Sequence, residues 1–223
     1  MANPLTQSSR AGRLFNVANY IFLGLFSLTI LYPFWTMIID AFSSPQVARQ
    51  MSMRLWLDDW RLENFEVVFR NNDVITAYGN TLFRVVFGTL TTLYVTFTAA
   101  YALSKRELPA RGIITFLFVF TMFFSGGLVP TYLTIRSYGL INTRAVLIIP
   151  IAMSVFYIIV CRNFIMTIDQ AMEDSAVIDG ASYWRIMFQI IVPLARPVLA
   201  TIALWTAVAH WNAWFDAWIY ISQ

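Results

Sequence analysis

The side chains able to do chemistry in this chain are few: one histidine, His210, one cysteine, Cys161, and 12 carboxylates. Acid–base work would fall to His210, whose ring titrates near neutrality, with Asp216 as its nearest candidate carboxylate. The two are six positions apart, which is not one face of a helix. A metal site needs more ligands than one His and one Cys can gather, so no metal is expected. No Lys-Ser or Lys-Thr follows Gly126-Gly127, so the chain carries no phosphate-cradling loop and no ATP site of its own. A membrane-embedded enzyme would need a convergent triad or metal set, and none is offered. His210 reads instead as a neutral, hydrogen-bonded packing residue, and Cys161 as a buried, inert thiol with no disulfide partner.

Recognition chemistry is richer. Met172 to Pro197, MEDSAVIDGASYWRIMFQIIVPLARP, is a polar, helix-forming insert between two apolar runs. Asp174, Ser175 and Ala176 open a first short helix, Gly180 supplies a permissive backbone after it, and Trp184 to Val192 form a second that Pro193 ends. The small Ser175, Ala176, Gly180 and Ala181 would let another protein approach the backbone closely, while Ile186, Phe188, Ile190 and Ile191 would lie on bilayer or neighbouring helices. By shape the insert is either a docking surface or an ordinary amphipathic interfacial segment.

The elements that position it are membrane spans. With 223 residues, 59% hydrophobic, 17% aromatic and 12% charged, the composition is that of a polytopic membrane protein. The net charge of +3 is dispersed, with no basic run to track phosphates, so nucleic acid is not an expected partner. Apolar runs near residues 17–39, 74–104, 113–133, 145–161 and 194–220 give about five spans of bilayer length. The first follows Arg10 and Arg13, is too long for a signal-peptide core and is read as retained, with the N-terminus in the cytosol. Lys105, Arg106, Arg111, Arg162, Arg185 and Arg196 then lie inside, against Arg49, Arg54, Arg61, Arg70, Arg136 and Arg144 outside, a weak positive-inside bias. The docking insert falls on the cytosolic side, within a loop spanning 163–196, and a segment at 40–73 lies outside. That outer segment carries Leu62, Phe65, Val68 and Phe69 at helical spacing, predicting a short amphipathic helix.

In its order of acidic, small, small, Gly, Ile, apolar and Pro residues, the insert resembles the EAA loop of ABC importer permeases. Asp174-Ser175-Ala176, Gly180, Ile190 and Val192-Pro193 fall in its places. Departures are Asp174 for the usual Glu, Ser175 for the first Ala and Val192 for Leu, and Glu173 leaves the acidic position ambiguous by one. Phe123 to Tyr132, Leu140-Ile141-Asn142-Thr143 and His210 to Phe215 resemble the carbohydrate-uptake branch, the type importing oligosaccharides from complex polysaccharides. The resemblance implies an all-α, polytopic, type I importer permease bundle, one transmembrane domain over 1–223, in the bacterial plasma membrane. It implies that Glu173, Asp174, Ser175, Ala176, Asp179, Gly180, Ala181, Ile190 and Pro193 couple the chain to an ATPase by helix-in-groove docking. The implied partners are a second permease, read as a paralogue, two ATPases that hold ATP and Mg, an extracytoplasmic solute-binding protein and membrane lipid. No cofactor is expected in this chain. Resembling permeases carry one further span, so the end at Gln223 reads as an early stop. A peptide or amino-acid importer permease is the other transporter reading, and a passive channel needs no docking loop.

Candidates for the substrate pathway follow. Gly126, Gly127 and Pro130 allow either a broken helix whose freed backbone lines a polar path, or a plain kink. Trp211, Asn212, Trp214 and Asp216 would offer a sugar aromatic faces and hydrogen bonds, or the tryptophans would form an interfacial belt. Trp211, Trp214, Phe215 and Trp218 have spacings that one helical face could hold. Arg84 in the second span is expected to snorkel toward the outer face, with Asn80 sharing its surroundings.

Overall fold

The structure, a computed structural model, describes residues 10–44, 56 and 60–222. Arg49 and Arg54, expected on the outer side, lie outside the described residues. All regular elements among those residues are helical. The chain divides into two compact units, Met1–Thr76 and Ala77–Gln223.

In the first unit α1 (Arg10–Phe42) is apolar on all sides and long enough to cross a bilayer, which needs ~20 residues. Its C-terminal carbonyls have no intrahelical donors, and a side chain supplies them. Asn64 Nδ2 donates to the carbonyls of Asp40 (3.1 Å), Ala41 (3.3 Å) and Ser43 (2.8 Å). Asn64 belongs to α2 (Glu63–Arg70), the short helix expected in the outer segment, and Phe65 on it packs against Phe42 at 5.2 Å between ring centroids. Trp60 packs on the same ring, so the end of α1 is held by tilted aromatic contacts as well as by hydrogen bonds.

The second unit is organised on α3 (Asn72–Ser104), which belongs to it from Ala77 onward and is the other helix among the described residues long and apolar enough to span. It buries Arg84, Gly88, Thr92, Thr96 and Ala100, a row at four-residue spacing that lets small side chains admit a neighbouring helix closely. The remaining expected spans are broken. α4 (Arg111–Phe123) and α5 (Leu128–Ser137) meet at 118°, so residues 113–133 do not form one straight span. Thirteen helical residues reach only ~20 Å. The break falls at Ser125–Gly127, where Gly127 has φ +85° and its N–H is taken by Ser125 Oγ at 3.1 Å. Gly139, at φ +68°, terminates α5: its N–H reaches the Arg136 carbonyl and that of Leu140 reaches Ile135.

The expected fourth span begins as two 3₁₀ turns, Arg144–Leu147 and Ile149–Ile151, and continues as α6 (Val155–Ile165) after a 52° bend. Pro150 lacks an N–H to continue the ladder. The docking insert follows as α7 (Gln170–Ile178) and α8 (Tyr183–Leu194), and then α9 (Arg196–Asn212) leaves at 80°. The expected fifth span ends at Asn212, because Ala213 is extended and a separate short helix, α10 (Phe215–Tyr220), follows. The main core joins Phe97, Ala100, Ile158, Cys161, Ala176, Ile186, Ile191, Val198 and Ile202. Cys161 lies in it, fully buried. A separate, smaller cluster joins Ile135, Val146, Leu147 and Tyr220.

Candidate functional site

The helical hairpin at 170–194 is built from local signals. Asp169 caps α7, its carboxylate accepting the Ala171 N–H at 3.0 Å. The helix therefore begins at Gln170, and Asp174, Ser175 and Ala176 stand in its middle instead of opening it. The cap at Asp169, five residues before Asp174, sets the start. Gly180, at φ +75°, stops it: Ala181 N–H reaches the Ala176 carbonyl at 2.9 Å and Gly180 N–H the Val177 carbonyl at 3.0 Å, a Schellman arrangement. Ser182 then caps α8, accepting from Arg185 N–H at 3.4 Å.

α8 does not stop at Pro193. A π-helical turn over Met187–Ile191 widens the ladder ahead of it, and Val192–Leu194 continue as helix. Proline is excluded from a regular helix interior by its missing N–H and its clash with the carbonyl four residues back, and a wider turn relieves both. The chain turns at Ala195, which is fully buried.

The hairpin has two faces. Asp174, Ser175, Asp179 and Gly180 are exposed, with Gln170 Nε2 donating to Asp174 Oδ1 at 3.4 Å. Glu173 and Ala176 point inward instead, one helical turn apart and each 8% exposed. Ala176 sits in the main core, and the partly buried Ala181, Ile190 and Val192 pack against it. Ile186 and Ile191 are buried in the same core, while Phe188 is exposed and stacks on Trp184.

Glu173 is ion-paired with Lys105, which follows the end of α3. Tyr101 Oη lies 3.5 Å from the same carboxylate oxygen, and Lys105 Nζ sits 4.2 Å over the Tyr101 ring. Two arginines grip the same helix end: Arg162 Nε donates to the Leu103 carbonyl at 3.0 Å, and Arg111 Nη1 to the Lys105 carbonyl at 3.5 Å. Beside the pair opens a cavity of about 540 Å³, lined by Lys105, Arg106, Gln170, Glu173 and Asp174 among others.

A second polar cluster sits further along α3. Arg84 does not snorkel: it is 3% exposed and forms a two-pronged ion pair with Asp216 at the start of α10. Its Nε donates to His210 Nδ1 at 3.2 Å and its Nη1 to the Ala213 carbonyl at 3.3 Å. His210 thus accepts at Nδ1 and meets Asp216 only through Arg84. A guanidinium offers five donors in a fixed fork, and here that fork joins the end of α9 to the start of α10. His210 also fills the space over Gly88, where a Cβ would come within 2.8 Å of its Cδ2. Asn80 is exposed and is not among the partners of Arg84.

The pathway candidates separate. Gly126, Gly127 and Pro130 are exposed at the α4–α5 break, where Gly126 and Pro130 line a cavity of about 400 Å³ with Tyr138 and Leu140. Trp214, Phe215 and Trp218 cluster, with centroid spacings of 5.7 to 6.3 Å, whereas Trp211 packs edge-on to Tyr78. The break at Ala213 divides what spacing alone placed on one face. Asn212 donates to the Val208 carbonyl of its own helix at 3.0 Å, and Asp216 is committed to Arg84.

Sequence reasoning passed over Lys105 as a partner of the hairpin, and Asn142. Asn142, at φ +60°, donates its N–H to the Tyr220 carbonyl at 2.9 Å, and its side chain accepts from both N–H and Oγ of Ser222. Its signal was the Leu140-Ile141-Asn142-Thr143 turn, since Asn tolerates the left-handed region.

Known proteins resemble the chain along its length. Protein LplC of Bacillus subtilis (strain 168) is 37% identical over 216 residues, covering 97% of this chain and 73% of LplC. The polygalacturonan/rhamnogalacturonan transport system permease protein YtcP of the same organism is 35% identical, covering 95% and 74%. A crystal structure of a bacterial ABC transporter involved in the import of the acidic polysaccharide alginate superposes with a TM-score of 0.92 at 35% identity. It covers 96% of this chain and 77% of that one. The broken spans and the capped hairpin are therefore the permease fold, and over residues 1–215 the chain belongs to the family of binding-protein-dependent transport system inner membrane components, the permease subunits of ABC importers.

Proposed function

We propose that the chain is a permease subunit through which a saccharide, of the kind released from a polysaccharide, is imported across the bacterial plasma membrane at the expense of ATP held by other subunits. The observation that carries this is the match at 35% identity or more, over nearly the whole chain, to a polygalacturonan/rhamnogalacturonan permease and to a component of an alginate importer. The N-terminus and residues 163–196 face the cytosol, and residues 40–73 face outward, seating a solute-binding protein. A paralogous permease completes the pathway and two ATPases hold ATP and Mg.

Exposed Asp174, Ser175, Asp179 and Gly180 form the contact with the ATPase, Asp174 through a charge-assisted hydrogen bond to a basic partner residue. Ala176, Ala181, Ile190 and Pro193 hold the hairpin's shape. Gly126, Gly127, Pro130, Trp211, Asn212 and Trp214 border the sugar's path, aromatic faces meeting sugar rings. Asp216 acts there through Arg84. For ATP to drive transport, the ATP-bound partner must bind one permease conformation better than the other.

The test is ATP-dependent uptake by the assembled importer in proteoliposomes, offered oligogalacturonides, neutral oligosaccharides and short peptides. Uptake of a saccharide is expected, and uptake of peptides alone would overturn the substrate class. A Cβ at Gly180 would meet no atom within 4 Å, so the first penalty of Gly180→Leu is the left-handed backbone, ~1–2 kcal/mol. Relaxing that backbone re-aims α7 against α8, and the variant should hydrolyse ATP without importing sugar. Normal coupled transport in Gly180→Leu would sink the docking role.

A further inference from the structure

We propose that Glu173 is a positioning residue that clamps α7 to the end of α3, so that a displacement of α7 is delivered to α3. The proposal rests on the reading of this hairpin as the ATPase contact. Adjacent acids in the hairpin point opposite ways: Asp174 outward, Glu173 inward onto Lys105 and Tyr101. An outward acid can meet a partner, whereas an inward one meets only its own chain.

The clamp is needed because α7 lies between two joints. Ahead of it the chain turns at Met166–Asp169, and behind it Gly180 has left-handed backbone. A nine-residue helix held only by its ends would pivot when pushed. Its inward face resists pivoting at two points, Ala176 in the core and Glu173 on Lys105. The apolar contact has no preferred direction, but the ion pair, with Tyr101 beside it and Lys105 over the Tyr101 ring, fixes both azimuth and height.

α3 is the element worth gripping. The same helix that holds Glu173 at one end holds Arg84 further along, and Arg84 grips His210, Ala213 and Asp216. Arg84 and Tyr101 are separated by ~25 Å of unbroken helix. A push on α7 therefore reaches the start of α10 through two ion pairs and one rigid element.

The experiment uses the complete importer in proteoliposomes. Glu173→Gln and Lys105→Met are compared with Asp174→Asn by co-purification of the ATPase and by ATP hydrolysed per sugar imported. For both clamp variants the ATPase should remain bound, while the ATP-to-sugar ratio rises on the order of 5- to 150-fold, the range of ordinary coupling free energies. The exchange Lys105→Glu with Glu173→Lys should restore most of that ratio. An unchanged ratio in Glu173→Gln overturns the clamp, as does loss of the ATPase to the same degree as in Asp174→Asn. Should both single variants fail to reach the membrane, the exchange variant must reach it and couple, and its failure also overturns the clamp. If Asp174→Asn and Gly180→Leu leave binding and coupling intact, the docking reading itself falls, a result distinct from any of these.

Discussion

Removing the carboxylate of Asp216 should be far more damaging than removing the whole Arg84–Asp216 pair. Arg84 and Asp216 side chains are 4% and 19% exposed, and the guanidinium makes further hydrogen bonds to His210 and to the Ala213 carbonyl. Asp216→Asn leaves a buried cation whose charge is uncompensated, which costs about 3–5 kcal/mol. Arg84→Met strands the carboxylate instead, but at the more open end of the pair, and should cost less. The double variant Arg84→Met/Asp216→Leu strands nothing and should lie within ~1–2 kcal/mol of wild type, since apolar replacements of buried ion pairs are often nearly neutral. The interaction free energy between the two sites should then be at least ~2 kcal/mol, well above the ~0.5 kcal/mol within which independent sites add. The assay is thermal unfolding of the purified importer in lipid nanodiscs, read on the permease by thiol labelling of buried Cys161 with temperature. Asp216→Asn should expose the thiol several degrees earlier and the double variant should recover most of that shift. If the double variant loses as much as the two singles summed, Arg84 and Asp216 act independently and the argument from buried charge is wrong.

Gly88→Ala should be disruptive out of proportion to one methyl, because its Cβ would press on the His210 ring and displace the acceptor that Arg84 uses. Overpacking of this kind costs about 1–3 kcal/mol, and Gly88→Ala with His210→Ala should recover stability in the same labelling assay. Asn142→Ala loses the acceptor for both Ser222 groups and puts alanine at φ +60°, for a combined loss of ~2–4 kcal/mol. Asn142→Gly restores only the backbone share, and limited proteolysis after residue 213 should rank the three as wild type, Gly, then Ala in resistance.

Hydropathy and spacing located every apolar run and the hairpin, because burial in lipid and helix breaking are local demands that leave local marks. Gly180 is such a mark and ends α7 as its spacing predicts, whereas Asp169 and Ser182, which cap α7 and α8, are marks of the same kind that the sequence reading does not use. What sequence reasoning could not reach was pairing at a distance. Arg84 and Asp216 are 132 positions apart and Lys105 and Glu173 are 68 apart, and no periodicity relates them. An isolated arginine in an apolar run therefore reads as snorkelling, the reading that needs no partner. Pro193 misled for a different reason. The rule that proline ends a helix assumes a regular ladder before it, and the π turn at Met187–Ile191 removes that assumption.

The bends at 118°, 52° and 80° decide where the second unit is compliant. Changing the angle at any of them rotates a few backbone bonds near Gly127, near Ser154, the extended residue just ahead of α6, or near Ala195, whereas bending α3 would stretch a continuous hydrogen-bonded ladder of 33 residues. Thermal excursions of this unit should thus be few and discrete: three arms swinging at fixed elbows about one stiff axle. A transporter has reason to be jointed this way, since a soft body would absorb the stroke of its motor as heat, while a jointed one converts it to a change of angle.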